Sequence, residues 1–113
     1  MLFTDLEAHL EKLGVSVDHV SAGGQSFAVI RGVDISGGSH AGETCDVGIL
    51  RSDDEPWVPQ AAIHVRPHLV AMGERNSQAS PLGADWQYLS RRFDPPPTPK
   101  TFFAHILTVL GEL

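Results

Sequence analysis

The sequence is poor in cysteine, in basic residues and in long apolar runs, and each shortage excludes a class of protein. Cys45 is its one cysteine, so an internal disulfide is impossible. Eight lysine and arginine residues stand against fourteen aspartate and glutamate residues, which gives a formal net charge of −6 at pH 7. This balance leaves no basic field for nucleic acid or anionic lipid, and no apolar run approaches the roughly 18 residues of a membrane span. We therefore expect neither nucleic acid nor a membrane as a partner.

The length and composition predict one globular domain. The chain has 113 residues, of which 42% are hydrophobic, and such a chain buries roughly two thirds of its unfolded surface in a single core. We therefore expect a single domain over residues 1–113. The first residues, MLFTDLEAHLEKLG, carry acidic side chains from Asp5 onward, unlike a secretory signal peptide. Together with the lone thiol, this start predicts a cytoplasmic setting.

A helix is predicted near each end of the chain. Thr4 and Glu7 have the spacing of a capping box, and Gly14 can end a helix in the left-handed conformation. These signals predict a helix over Asp5–Leu13. Its leucines recur at helical spacing and form one apolar stripe: Leu2, Leu6, Leu10 and Leu13.

The second helix is predicted over Pro99–Leu110. Thr98 can cap it, and Pro99 occupies the first helical position, which is the favoured place for proline in a helix. Its apolar residues recur at helical spacing and define a buried face: Phe102, Ile106, Val109, Leu110 and Leu113.

Four strands are predicted between the two helices, and their short connections favour an antiparallel meander. The predicted strands are Val15–Val20, Ser26–Val33, Thr44–Leu50 and Ala61–Val65. In the third strand Cys45 shares a face with Val47 and Ile49, so its thiol is expected to point into the core.

Prolines frame the fourth strand and separate it from an irregular segment. Pro56, Pro59 and Pro67 fix φ and lack a backbone donor, so between them the run AAIHV is the part able to pair in a sheet. Residues 69–97 show weak periodicity, with one short helix predicted around Asp85–Arg92. The predicted class is therefore α+β, with an N-terminal helix, a four-stranded antiparallel β-meander, an irregular segment with a short helix, and a C-terminal helix.

This order resembles the ubiquitin-conjugating (UBC) fold over nearly the whole chain. The segment EPWVPQAAIHVRPH is similar in rhythm to the proline steps, fourth strand and His-Pro-Asn turn of that family, although His68 here follows Pro67. Trp86 looks like the tryptophan that follows the family's catalytic cysteine, and GADWQYLSRRFD is similar to bacterial relatives. The preceding segment, GERNSQASPLGADW, contains no cysteine. The resemblance therefore implies a noncanonical, bacterial-type member without the usual catalytic cysteine.

Seven residues are candidates for protein binding: Trp57, Pro59, His68, Ser77, Ser80, Tyr88 and Arg91. Tryptophan, tyrosine and arginine are the types enriched in binding hot spots. Trp57 lies in a proline turn and is predicted to be an exposed anchor, whereas Trp86 is predicted to lie mainly in the core. Ser77 and Ser80 fall where the resemblance would place the family's cysteine.

No catalytic residue, metal site or cofactor is predicted. His64 and His68 stand four apart, as two ligands on one helix face would, but Pro67 makes that helix improbable. Both are expected to be solvated surface histidines. The acidic run Asp53, Asp54 and Glu55 is expected to be a solvated turn.

The function predicted from these features is a UBC-like protein-binding module that lacks the thioester cysteine. Its expected partner is a ubiquitin-like protein or another component, such as an activating enzyme, of a bacterial ubiquitin-like conjugation system. One alternative is a conjugating enzyme that works through Cys45 or through an unusual nucleophile. Another is a small structural or chaperone-like α+β domain.

Overall fold

The computed structural model describes residues 1–53, 57, 62–93 and 97–113, in which a helix, six strands and a second helix follow one another. The elements are α1 (Phe3–Lys12), β1 (Val17–Ala22), β2 (Gln25–Asp34), β3 (Thr44–Leu50), β4 (Ala62–Arg66), β5 (Ser77–Ser80), β6 (Gly83–Ser90) and α2 (Pro99–Gly111). The strands form one antiparallel sheet in the order β1-β2-β3-β4-β6-β5. The predicted α+β class is confirmed, but the sheet is larger than the predicted four-stranded meander.

Helix α1 begins at Phe3, two residues before the predicted start, because its cap differs from the predicted one. The carboxylate of Asp5 accepts a hydrogen bond from the backbone N–H of Leu2 at 2.9 Å, so Thr4 does not cap the helix. Helix α2 begins as predicted at Pro99, where the Thr98 hydroxyl accepts a hydrogen bond from the Thr101 N–H at 3.1 Å. Neither helix in the described part of the chain is long and apolar enough to cross a membrane.

The predicted short helix around Asp85–Arg92 is wrong, because this segment contributes to strand β6. Its side chains alternate between the two faces of the sheet, and its backbone pairs with β4 on one side and with β5 on the other. A strand here completes the ladders of β4 and β5, whereas a helix, whose backbone bonds are internal, would leave their facing backbone groups unpaired. The preceding segment, predicted to be irregular, contains the edge strand β5.

Both helices pack on one face of the sheet, here called the helix face. The apolar stripes of α1 and α2 meet the inward residues of the strands in one core. Its fully buried members include Leu6, Leu10, Ile30, Val47, Val65, Leu89, Ile106 and Leu110. Burial of these side chains provides the main stabilisation of the fold.

The opposite face, here called the outer face, is also partly buried. Phe27, Val29 and Trp86 are at most 5% exposed, yet they do not belong to the core under the helices. The sheet curves toward this face, as the position of the turn after β5 next to the β1–β2 hairpin shows. A Cβ added at Gly23 in that hairpin would lie 3.2 Å from the Cβ of Pro81. The curvature thus creates a second, smaller buried region without a helix.

Candidate functional site on the outer face

Three strands bring His64, Ser80 and Tyr88 together on the outer face. In the sheet register His64 on β4 stands opposite Gly48 on β3 and Tyr88 on β6. Strand β5 ends at Ser80, next to the turn that curls over this face. Directly opposed residues of an antiparallel pair point to the same face, so the pairing groups His64 with Tyr88, and a hydrogen bond joins Ser80 to His64.

The His64 imidazole is buried and hydrogen-bonded to a serine. Its Nδ1 atom lies 2.8 Å from the Oγ atom of Ser80. His64 is 6% exposed. The rings of Phe27 and Tyr88 contact it edge to face at centroid distances of 5.1 and 5.4 Å. Burial lowers the pKa of His64 to about 4, so the imidazole is neutral at pH 7.

The Ser80 hydroxyl is oriented by a second bond. The backbone N–H of Leu82 donates to Ser80 Oγ at 3.1 Å, which occupies one of its acceptor positions. In the neutral tautomer that carries its proton on Nε2, Nδ1 of His64 accepts the hydrogen bond and the Ser80 hydroxyl donates it. The hydrogen bond then runs in the same direction as in a nucleophile–base pair, with the hydroxyl as donor and the neutral imidazole as acceptor.

Next to this pair, a row of charged side chains crosses the outer face. Asp46 Oδ2 accepts hydrogen bonds from Arg66 Nη2 at 2.6 Å and from Arg31 Nη1 at 3.2 Å. Arg31 also reaches Asp18 through its Nε atom at 2.8 Å. Burial alone would raise the pKa of Asp46, but the bonds from Arg66, from the Gly32 N–H and from Arg31 hold this pKa below its ordinary value.

Arg66 is held by an aromatic ring as well as by the carboxylate. Its Cζ atom lies 4.8 Å from the centroid of the Trp86 ring, in a cation–π contact. The guanidinium is therefore fixed between Asp46 and Trp86, and its charge is largely compensated by the carboxylate.

A surface depression of about 320 Å³ adjoins Arg66. It is here called the Arg66 depression, and it is lined by Arg66, Pro67, His68, Ala84 and Asp85. All of these except Arg66 are exposed residues, so the depression is an open concavity and not an enclosed cavity. His68 is fixed at its rim because its Nε2 donates to the Trp86 carbonyl oxygen at 2.9 Å.

The chain that follows His68 is anchored by a buried amide. Gln87 is 0% exposed and lies on the helix face, opposite Val65. Its Oε1 accepts from the Leu69 N–H at 3.1 Å, and its Nε2 donates to the Val70 carbonyl at 2.7 Å. These bonds replace strand pairing for the segment after His68.

The structure brings some of the predicted binding residues together and separates others. Ser80 and Tyr88 meet at His64, and His68 borders the Arg66 depression. Ser77 lies on the helix face, 3% exposed, with its hydroxyl donating to the Ala71 carbonyl. Arg91 donates through Nη1 to the carbonyl oxygens of Arg75 and Ser90 at 2.7 Å each. Pro59 lies outside the described residues, as do Asp54 and Glu55 of the predicted acidic turn.

The prediction of Trp57 as an exposed anchor is wrong, because Trp57 is 3% exposed and belongs to the core under the helices. Its ring meets Phe3 and Phe102 edge to face at centroid distances of 4.8 and 5.4 Å. Its backbone N–H also donates to the Met1 carbonyl at 2.9 Å. Trp57 therefore ties the chain before β4 to both helices.

The residue that sequence reasoning missed is His64. The strand alternation places His64 on the other face of the sheet from Ile63 and Val65. This predicts a side chain that points outward but does not predict that it is buried. Its cover comes from Phe27 on β2 and from the β5–β6 region, where no strands are predicted. The expectation of a solvated His64 is therefore wrong, whereas His68 is exposed.

Cys45 lies in the core, as predicted, and is 3% exposed. Burial, with a smaller contribution from the charge of Asp46, raises the pKa of the thiol to about 12. The nucleophilic thiolate is therefore essentially absent at neutral pH. Within residues 1–53, 57, 62–93 and 97–113, no group of three histidine, cysteine or acidic side chains is placed to hold a metal ion.

No protein-family model, curated protein or solved structure matches the chain. The resemblance to the ubiquitin-conjugating superfamily therefore stays a prediction. The contacts of the outer face are the basis on which a function can be argued.

Proposed function

We propose that the chain is a protein-binding module whose binding surface is the Arg66 depression. The partner class is the one expected from the sequence, namely a ubiquitin-like protein or an activating enzyme of such a system. The observation that carries the proposal is the fixed Arg66 guanidinium, held between Asp46 and the Trp86 ring at the edge of an open concavity.

The shape of the depression favours a protein over a metabolite. Small-molecule sites are enclosed, mostly apolar and bury most of the ligand surface. The Arg66 depression is open, and its lining includes Arg66, His68 and Asp85. Such a surface suits a single side chain that projects from a partner, with arginine as an anchor residue.

The charges around the depression favour a basic side chain from the partner. The charge of Arg66 is offset by Asp46, whereas Asp85 forms no ion pair with any residue that the structure describes. The chain carries a formal net charge of −6, which would also attract a basic partner surface. Lysine or arginine of the partner would thus enter the depression and pair with Asp85.

The alternative of a conjugating enzyme that uses Cys45 has no support from the geometry. A thioester requires an accessible thiolate, and Cys45 is buried with its pKa raised to about 12. The binding role does not need this thiol.

The proposal is tested by titrating the isotope-labelled chain with a ubiquitin-like protein and, separately, with its activating enzyme. We expect amide shifts at Arg66, at His68 and at residues 84–86. Asp85→Lys should weaken binding about five-fold or more, because it places a cation where the partner's cation enters. Asp34→Lys is the matched control, since Asp34 is an exposed acid at the end of β2 and the change in net charge is the same.

Two results would overturn the proposal. Equal weakening by the two variants would mean that net charge, and not the Arg66 depression, governs the association. The absence of binding to either partner, with the chain folded, would eliminate this partner class.

A further inference from the structure

We propose that Ser80 is an activated nucleophile, with His64 as its base, and that it accepts an acyl group from an activated ester or thioester. This inference is separate from the proposed protein binding, because it depends on the Ser80–His64 contact and not on the Arg66 depression.

The geometry of the pair is that of a nucleophile and its base. Ser80 Oγ lies 2.8 Å from His64 Nδ1, within the range of a catalytic hydrogen bond. The Leu82 N–H already donates to Ser80 Oγ, so the hydroxyl proton is free to point at the imidazole. The rings of Phe27 and Tyr88 fix the plane of the imidazole.

The His64 imidazole is in the form that can accept a proton, although its low pKa makes it a weak base. Burial keeps the imidazole neutral at pH 7, because its pKa falls to about 4. In the neutral imidazole, Nδ1 accepts the Ser80 proton when the ring proton is on Nε2, and Ser80 remains partly exposed and open to a reagent.

Ser77 on the same strand shows what an unactivated serine looks like in this fold. Its hydroxyl donates to the Ala71 carbonyl and accepts from the Gly73 N–H, each at 3.0 Å. It lies on the helix face and is 3% exposed. Of these two serines, Ser80 has a base within reach and a path to solvent.

The reaction transfers one acyl group and one proton. Ser80 Oγ attacks the carbonyl carbon of the ester while Nδ1 of His64 takes the hydroxyl proton. The tetrahedral intermediate collapses as the bond from the carbonyl carbon to the leaving oxygen or sulfur breaks. The imidazolium returns its proton to that leaving group, which departs as an alcohol or a thiol. The products are acyl-Ser80 and neutral His64, and no oxidant or metal is required.

The test is to incubate the folded chain with p-nitrophenyl acetate, follow release of p-nitrophenol, and locate the acetyl group by peptide mass mapping. We expect one acetyl group on Ser80 of the unmodified sequence. Ser80→Ala and His64→Gln should each lower the acetylation rate ten-fold or more, since a positioned general base contributes about 10²-fold or more. Ser21→Ala, which removes an exposed serine from β1, should leave the rate unchanged.

The pH profile and a second variant keep the test decisive. The acetylation rate should rise with pH through about pH 4 and be level from about pH 5 to 7, following the neutral imidazole. Ser80→Cys keeps a nucleophile beside His64 and should be acetylated at residue 80, even if Ser80→Ala folds poorly. An unmodified Ser80 in the native chain, or acetyl groups on lysines alone, would overturn the proposal and leave the pair as a structural hydrogen bond.

Discussion

Leu82 occupies the space that a side chain at Gly48 would need. A Cβ built at Gly48 would lie 2.6 Å from Leu82 Cδ1, and 3.4 Å from the Cβ of His64. Because Gly48 on β3 has no side chain, the β5–β6 turn can pack against the outer face. The same turn carries the Leu82 N–H that orients Ser80.

Gly48→Ala is expected to lower the free energy of unfolding by no more than about 1 kcal/mol, because the added methyl overpacks this region but the clashing atom is the movable end of the Leu82 side chain. The strain should fall when Leu82→Ala is added, so the two changes should be non-additive. Gly37→Ala is the control, since nothing lies within 4 Å of its added Cβ and its φ of −146° suits any residue. Denaturant unfolding of the four variants measures this, and additive costs would contradict the contact.

Trp57→Ala is expected to lower the free energy of unfolding by about 3–5 kcal/mol, the usual cost of removing a large buried aromatic side chain. The physical reason is the loss of edge-to-face contacts with Phe3 and Phe102, which join both helices. Trp57→Phe should cost less, because it keeps a ring in the same space. Chemical denaturation monitored by circular dichroism measures both. A cost below about 1 kcal/mol for Trp57→Ala would place the ring outside the core.

The sequence predicts the helices and the first four strands because local signals agree with the tertiary contacts there. The Thr98 cap and the spacing of Phe102, Ile106 and Val109 lead to the observed α2. The alternation of Cys45, Val47 and Ile49 leads to the observed buried face of β3.

The β5–β6 hairpin and the site could not be predicted, because non-local contacts decide both. The run SQAS contains no large apolar residue, so β5 has no pattern of its own and exists because β6 pairs with it. The run DWQYLSRR can place apolar residues on either a helix or a strand, and pairing with β4 and β5 selects the strand. Without that hairpin, nothing in the sequence indicates that His64 is covered or that Ser80 lies beside it.

Cys45 is expected to react slowly with a soluble disulfide reagent in the native state and rapidly in denaturant. Burial excludes the reagent, and the pKa of about 12 removes the thiolate at neutral pH. The measurement is the rate of thiol release at pH 7 to 8 with and without denaturant. Cys45→Ser serves as the blank and should keep any partner binding. Native labelling as fast as that of the unfolded chain would contradict the buried position.

The stability of the fold should fall between neutral pH and about pH 4, in part because of His64. The folded pKa of His64 is about 4, whereas the ordinary value of 6.5 applies to the unfolded chain. Between these values the unfolded chain binds more protons, so the free energy of unfolding falls as the pH falls, by up to about 3 kcal/mol from this one group. Burial also lowers the pKa of His105, which adds loss of the same sign.

His64→Gln should therefore flatten the pH dependence measured between pH 7 and 4.5, whatever it does to stability at pH 7. Ser80→Ala keeps the imidazole buried and should retain most of the slope, which separates the effect of the titrating ring from that of its hydrogen bond. Asp46 contributes little to the slope in this pH window. Because the pKa of its carboxyl is lowered, its loss of stability occurs at more acidic pH. The measurement is denaturant unfolding at several pH values. If His64→Gln leaves the slope of the unfolding free energy against pH unchanged, the folded imidazole titrates near its ordinary value and is not buried on the outer face.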